Sequence, residues 1–248
     1  MPFTAAHPAI VLPFLKLNPR YFSATGLVIG SMTPDFEYFF KMSVESKYSH
    51  TIAGLFYFDL PVAVLLSVFF HQIVKFNLIQ SLPAIIRNRL QEILHFNFLA
   101  YLKSHPVVFL LSALAGSASH IFWDSFTHAD GFFVREIPFY DGRYIPYDGV
   151  SYPLWYALQH ISTFVGLVVI FVYLLMQKPV NVTEPIRISR IKYWAVIVIV
   201  TAMVVTIRFT IPSSDYNEGN FVVTSISGFC IAVFIAGRLK LARNIKQY

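Results

Sequence analysis

His120-Ile-Phe-Trp-Asp124-Ser-Phe-Thr-His128 places two imidazoles and a carboxylate at i, i+4 and i+8. A helix would align all three along one face, rising ~1.5 Å per residue. Histidine and aspartate one turn apart are ligand chemistry for a hard or borderline divalent cation. A zinc site of two or three ions uses neutral imidazoles and carboxylates, and a carboxylate can bridge two metals. It keeps a position open for a water whose pKa falls to about 7. Paired ions ~3.5–4 Å apart stabilise the attacking and leaving oxygens of phosphoester hydrolysis. Asp124, between two histidines, suits the bridging place. Asp35, in Gly30-Ser-Met-Thr-Pro-Asp35-Phe-Glu37-Tyr-Phe, is a second carboxylate that could serve as ligand or general base, with Glu37 a weaker candidate.

The elements that hold these groups read as membrane-embedded. The 248 residues are 56% hydrophobic and only 13% charged, against about 25% charged for a soluble domain, and mean hydropathy is +0.60. Five runs approach the ~20 apolar residues that cross a hydrocarbon core; they cover approximately 53–74, 107–127, 161–177, 193–212 and 221–237. The expected fold is all-α: a polytopic membrane protein of about five transmembrane helices, one domain over 1–248. Residues 1–52 carry apolar pieces at 9–15 and 27–32 that are too short to span, which fits a helical cap on the outer face or a re-entrant element. Pro83 and the helical spacing of Ile86, Leu90, Ile93 and Leu94 predict a cytoplasmic amphipathic helix over 81–103, lying on the inner leaflet or binding a partner. Pro and Gly cluster between 131 and 153, the mark of an irregular loop.

A net charge of +6 and a pI near 9.4 invite a nucleic-acid reading, but the basic residues are segregated by loop. Residues 75–106, 178–192 and the tail from 238 hold twelve Lys/Arg against two acids, whereas 1–52, 128–160 and 208–220 hold seven against nine. The positive-inside rule puts the first set in the cytoplasm. The result is a multi-pass plasma-membrane protein, N-terminus outside and C-terminus inside, with membrane lipids rather than nucleic acid as its surroundings. The single cysteine, Cys230, excludes an internal disulfide and thiolate metal sites. No basic n-region precedes the first apolar stretch, so the N-terminus is expected to stay in the mature chain.

With this topology the polar groups converge on one side. His120, Asp124 and His128 lie in the outer half of the second span, and His160 stands at the first turn of the third. His50 precedes the first span, and His7 and Asp35 belong to the outer N-terminal segment. Ionisable groups at membrane depth are costly, and function is the usual reason to keep them. The alternatives are a buried polar network without metal, or a proton or ion pathway, which uses the same residue types. His71, His95 and His105 read as hydrogen-bonded interfacial side chains, with His71 and Asp59 also suited to helix–helix hydrogen bonds, and Trp123, Tyr152, Trp155 and Tyr156 as interfacial belt aromatics.

Met1-Pro-Phe-Thr-x-x-His7-Pro-Ala, the Gly30 to Phe40 stretch, Ser49-His50-Thr-x-x-Gly54-Leu-Phe-x-Phe-Asp59-Leu-Pro61, Gly116-Ser-x-Ser-His120-Ile-x-Trp-Asp124-Ser-Phe-Thr-His128 and Gln159-His160-x-Ser together resemble the bacterial membrane family of domain of unknown function 4184. That resemblance covers essentially the whole chain and gives identity without activity. More distantly, the order His, Asp, His, then His-x-x-x-Asp, His, His is similar to the zinc-dependent phospholipase C family and to membrane-bound metal-dependent hydrolases of the YdjM type. Carried over, this likeness implies metal-ligand roles for His7, Asp35, His50, His120, Asp124, His128 and His160, with Asp35 also a base. The chain departs from the phospholipase pattern one turn after the last histidine, where Phe164 replaces a glutamate, which favours one or two ions over three.

The leading expectation is a zinc-dependent hydrolase facing the extracytoplasmic side, acting on a lipid or other phosphoester, with Asp35 and Asp124 as its catalytic carboxylates. The rivals are a proton- or ion-coupled transporter and a non-catalytic envelope-assembly protein with a structural metal site.

Overall fold

In the computed structural model, residues 3–180, 189–211 and 216–239 are described. Among these residues, five helices are long and apolar enough to cross a membrane: Leu55–Ser81, Pro106–Asp124, Leu154–Met176, Arg190–Thr210 and Glu218–Arg238. Each overlaps one apolar run of the sequence. The helices exceed their runs where amphipathic residues such as Trp155 and Tyr156 continue the backbone ladder, because hydropathy marks the lipid-facing stretch and not the end of the helix. The second helix stops at Asp124 and not near 127, since Ser125–His128 fold into turns in which Phe133 and Val134 donate back to the Ser125 carbonyl. Glu184, Arg187, Asp215 and the tail cations Lys240, Arg243 and Lys246 lie outside the described residues.

Two further expectations are corrected. Residues 81–103 form three short helices and not one: Ala84–Arg87, Gln91–His95 and Phe98–Ser104. Asn88 ends the first and Asn97 caps the last, its side chain accepting from the Ala100 N–H; asparagine competes with the helix ladder at such positions. The loop 131–153 is also not wholly irregular. It contains a hairpin, Tyr144–Tyr147 with Val150–Pro153, closed by Asp148-Gly149 at φ 49° and 74°, the two positive values that a tight hairpin turn requires.

The described chain falls into two compact units. The first contains Met1–Asp35, Lys47–Val64 and His105–Tyr173. Its N-terminal segment runs along two of the membrane-length helices and turns back. Thr4–Lys16 is a 3-10 helix, ~26 Å long at ~2 Å per residue, in which Pro8 and Pro13 oppose α-helical bonding. It starts with the Phe3 N–H on Thr163 Oγ1, passes Gly166 at Ala6, and brings Lys16 Nζ to 5.6 Å from the Tyr173 ring. The chain then turns, and the Ser23 N–H bonds Ser112 Oγ at 2.9 Å, ~18 Å below Asp124 along the helix Pro106–Asp124. Ala24–Gly30 climbs back along that helix. Gly26 and Gly30 lie so close that added methyls would strike the Phe109 and Ala113 carbonyls, and Gly116 faces the Leu27 carbonyl in return. This is small-residue packing of the kind that draws helices together in lipid, and Thr33, Ser117 and the Gly30 carbonyl lock it with hydrogen bonds.

The second unit contains Phe36–Ser46, Leu65–Ser104 and Leu174–Tyr248. Its core is Tyr193, Ile197, Ala232, Val233 and Ala236, on the helices Arg190–Thr210 and Glu218–Arg238. Asn77 Nδ2 donates to the carbonyls of Ala236, Gly237 and Leu239, satisfying a helix end that would otherwise expose bare acceptors. His71 stacks on Phe98, centroids 4.6 Å apart, an aromatic contact where the sequence suggested hydrogen bonding.

Candidate metal centre

Four stretches of the first unit deliver ligand atoms to one point. The 3-10 helix supplies His7, and the short turn Thr33–Asp35 supplies Asp35. The loop before Leu55 supplies His50, the last turn of Pro106–Asp124 supplies His120 and Asp124, and the following turn supplies His128. His7, Asp35 and His120 are essentially inaccessible, whereas the His50 and His128 side chains keep about a fifth of their surface, 21% and 22%. His120 Nε2 stands 3.5 Å from Asp35 Oδ1 and 3.3 Å from Asp124 Oδ2. His50 Nε2 stands 3.6 Å from each of the same two oxygens. The other oxygen of Asp124 faces His7 Nε2 at 3.5 Å and His128 Nδ1 at 3.7 Å.

The contacts of 3.6–3.7 Å are too long for hydrogen bonds, and those of 3.3–3.5 Å are not aligned as such. Among the described residues, the buried atoms without a hydrogen-bond partner include both nitrogens of His7, Oδ1 of Asp35, Nε2 of His120, both oxygens of Asp124 and Nε2 of His128. Each unmet buried group costs about 1–3 kcal/mol, so a cluster of them calls for a common partner. Ligands bound tetrahedrally at ~2.0–2.2 Å are separated by ~3.3–3.6 Å, close to the spacing found here. The triads His7, Asp35, His120 and His50, His120, Asp124 could each hold a metal ion.

The surroundings orient the ligands. His120 Nδ1 donates to the Ser31 carbonyl at 2.8 Å, which fixes the ring with Nε2 turned towards the two carboxylates. Ser49 Oγ meets His50 Nδ1 at 3.0 Å, and His128 Nδ1 meets the Asp124 carbonyl at 3.1 Å. Thr4 Oγ1 donates to Asp35 Oδ2, leaving Oδ1 to face the imidazoles. Partners of this kind fix ligand geometry, and losing one costs about 10–100-fold in metal affinity. Thr4→Val is therefore expected to weaken divalent-metal binding about 10–100-fold with the fold intact, as read by competition with a chelating dye.

Burial, and then the neighbouring His120, hold the His7 imidazole down to about 3 from its ordinary 6.5. For Asp35 burial pushes upward, but the adjacent His120 and His50 outweigh it and hold the carboxyl well below 3.8. Both groups rest in their metal-binding forms, since a ligand must shed its proton first. Unfolded His7 returns to its ordinary value and takes up a proton that folded His7 refuses. The metal-free protein should therefore lose stability as pH falls from 6.5 towards 3. Asp35 acts in the same direction at lower pH, its contribution present above 3.8 and lost only in stronger acid. His7→Gln is expected to make the decline in thermal midpoint below pH 6.5 shallower; an unchanged decline would assign it elsewhere.

The family model called Domain of unknown function (DUF4184) matches residues 1–238. The chain belongs to this family. No curated protein and no solved structure matches it. The DUF4184 match takes in every residue of the centre, from His7 to His128.

Not every candidate in this DUF4184 chain joins the cluster. His160 is exposed, its ring against Tyr156 at 4.6 Å, and belongs to neither triad. Its neighbour Gln159 is the buried one. One residue is 100° of helix rotation, enough to turn His160 away from the protein. Glu37 accepts from Lys41 Nζ and Ser46 Oγ and also lies outside the triads. Sequence reasoning missed Thr4, Ser31 and Ser49. It also missed Trp123 as a wall of the centre, its ring 6.2 Å edge-on from His7. Only the Gly26-x-x-x-Gly30 spacing carried a readable signal, that of close helix packing.

Proposed function

We propose that this protein is a divalent-metal-dependent hydrolase, zinc being the fitting ion, that cleaves a phosphoester at the extracytoplasmic face of the plasma membrane. The observation that carries the reading is the convergence of His and Asp side chains 3.3–3.7 Å apart, with unpaired buried atoms on His7, Asp35, His120 and Asp124 and two triads able to hold a metal ion. Asp124 turns Oδ2 to His50 and His120 and Oδ1 to His7, the posture of a bridging carboxylate, which favours two ions. Asp35, tied to Thr4, acts as a ligand rather than a mobile base. Bound ions supply Lewis acidity and an acidified water. The partial exposure of His50 and His128 gives the centre a side open to substrate, which a purely structural staple does not need. The likeness to zinc-dependent phospholipase C and YdjM-type hydrolases agrees with this reading, through ligand order alone.

The re-entrant hairpin strengthens the proposed orientation. Its tip, with Lys16 and Arg20, lies towards the end of the helix Leu154–Met176 that carries Tyr173, and the loop after that helix is Lys/Arg-rich. Adding these two to the twelve cytoplasmic cations gives fourteen against two acids, leaving five against nine outside. In a Cys230→Ala background, Asn18→Cys is expected to react with a membrane-impermeant maleimide only from the cytoplasmic face, and Asp148→Cys only from the outer face. The reverse pattern would invert the topology. A transporter reading is weaker because Ser112 and Ser117, the polar groups on the inner side of the centre, are engaged in holding Ser23 and Gly30.

The test is purification, metal analysis, and assay on phosphoesters, both water-soluble and lipid. Stoichiometric metal with turnover supports the proposal. Protein that holds no metal overturns it, and metal without turnover of any phosphoester favours the staple.

A further inference from the structure

A groove of about 360 Å³ runs beside the centre, walled by Ile10, Phe122, Trp123, Thr127, Ile161 and Val165 among others. Its volume is that of a small-ligand site. The lining is almost wholly apolar. Its hydroxyls are already engaged, since Ser162 Oγ donates to the Gln159 carbonyl and Thr127 Oγ1 to the Trp123 carbonyl. Water would find little to bond there. Two of the walls are the helices Pro106–Asp124 and Leu154–Met176, both of membrane-crossing length, and Ile161, Phe164 and Val165 are exposed on the second. The medium against those side chains is bilayer hydrocarbon.

The groove adjoins the metal centre through neighbours of its ligands. Trp123 lines the groove and meets His7 edge-on at 6.2 Å, Thr127 adjoins His128, and Ile10 lies one 3-10 turn beyond His7. We infer that the groove binds one acyl chain of a lipid whose phosphoester headgroup reaches the metal centre. An apolar groove separated from the carboxylates and imidazoles by little more than the Trp123 ring matches a molecule with a hydrocarbon tail and an anionic head, entering sideways from the outer leaflet. The headgroup half of this assignment rests on the hydrolase reading; the acyl half does not.

Trp123 provides a readout independent of activity. In a Trp155→Phe, Trp194→Phe background it is the only tryptophan. Titration of the delipidated, detergent-solubilised protein with a phospholipid brominated on its acyl chain is expected to quench Trp123 emission and to saturate at one lipid per chain. Filling the groove with Ser162→Phe and Val165→Phe should abolish that saturable quenching while metal content stays at the parent level. Absent quenching, or quenching that rises without saturation or ignores the filled groove, overturns the inference. Turnover is scored separately. Saturable quenching with no hydrolysis of any phosphoester leaves the groove and removes the hydrolase reading. Hydrolysis that persists without saturable quenching does the reverse.

Discussion

Asp124→Ala is expected to strip the purified protein of divalent metal, lowering affinity by more than about 100-fold. Loss of a supporting partner alone costs about 10–100-fold, and Asp124 stands closer to the centre than any supporting partner. Its two oxygens face four imidazoles, His7 at 3.5 Å, His50 at 3.6 Å, His120 at 3.3 Å and His128 at 3.7 Å. Removing it takes away one of the cluster's two carboxylates, and with it half of the charge that neutralises a cation. The fold should survive, because Asp124 ends its helix and alanine suits a last turn. Asp124→Asn keeps the shape and removes only the charge, so it should lose metal as well. His160→Ala, at an exposed position, should bind metal like the wild type. Metal per chain after gel filtration, beside a circular-dichroism melt, measures all three. Wild-type metal content in both Asp124 variants would remove the centre from the map of this protein.

Gly30→Ala is expected to disable the centre without touching a ligand. A methyl at Gly30 would fall within hard contact of the Ala113 carbonyl, carbonyl carbon and Cα. These are backbone atoms of a membrane helix and cannot swing aside. Alanine is worth about 1 kcal/mol over glycine in a free helix, whereas overpacking costs about 1–3 kcal/mol and sometimes more, so packing decides the sign. The helix Ala24–Gly30 must then back away from Pro106–Asp124, carrying Ser31 off His120 Nδ1 and Asp35 off His120 Nε2. Lower thermal stability and reduced metal affinity should appear together. Gly219→Ala, which meets chiefly the side chain of Val44, should be milder on both counts. Equal effects from the two substitutions would deny the close approach its role.

Both outcomes bear on what could be read in advance. Five membrane-crossing helices were legible because each needs an unbroken apolar run, and the family was legible in motifs from His7 to His160. The ligand types were legible because few residues bind cations, and fewer are tolerated in a membrane without reason. The helical line through His128 was not, since a turn after Asp124 and not a further helical turn carries it back. Nor was the exclusion of His160, where a single residue of rotation separates the exposed imidazole from buried Gln159.

The sequence by itself determined composition, span count and the inventory of groups able to hold a cation, because these are properties of residues and of local periodicity. Only the tertiary structure decided that residues 4–35 dive beside the helix Pro106–Asp124 and return, that Thr4, Ser31 and Ser49 aim the ligands, and that His7, Asp35, His50, His120 and Asp124 fall into two triads able to hold a metal ion, with His128 beside them. Those facts depend on contacts between Gly30 and Ala113, or Thr4 and Asp35, separated by 31 to 83 residues in the chain. Spacing along a sequence sets the face of a helix, but close approach of two backbones sets which faces meet.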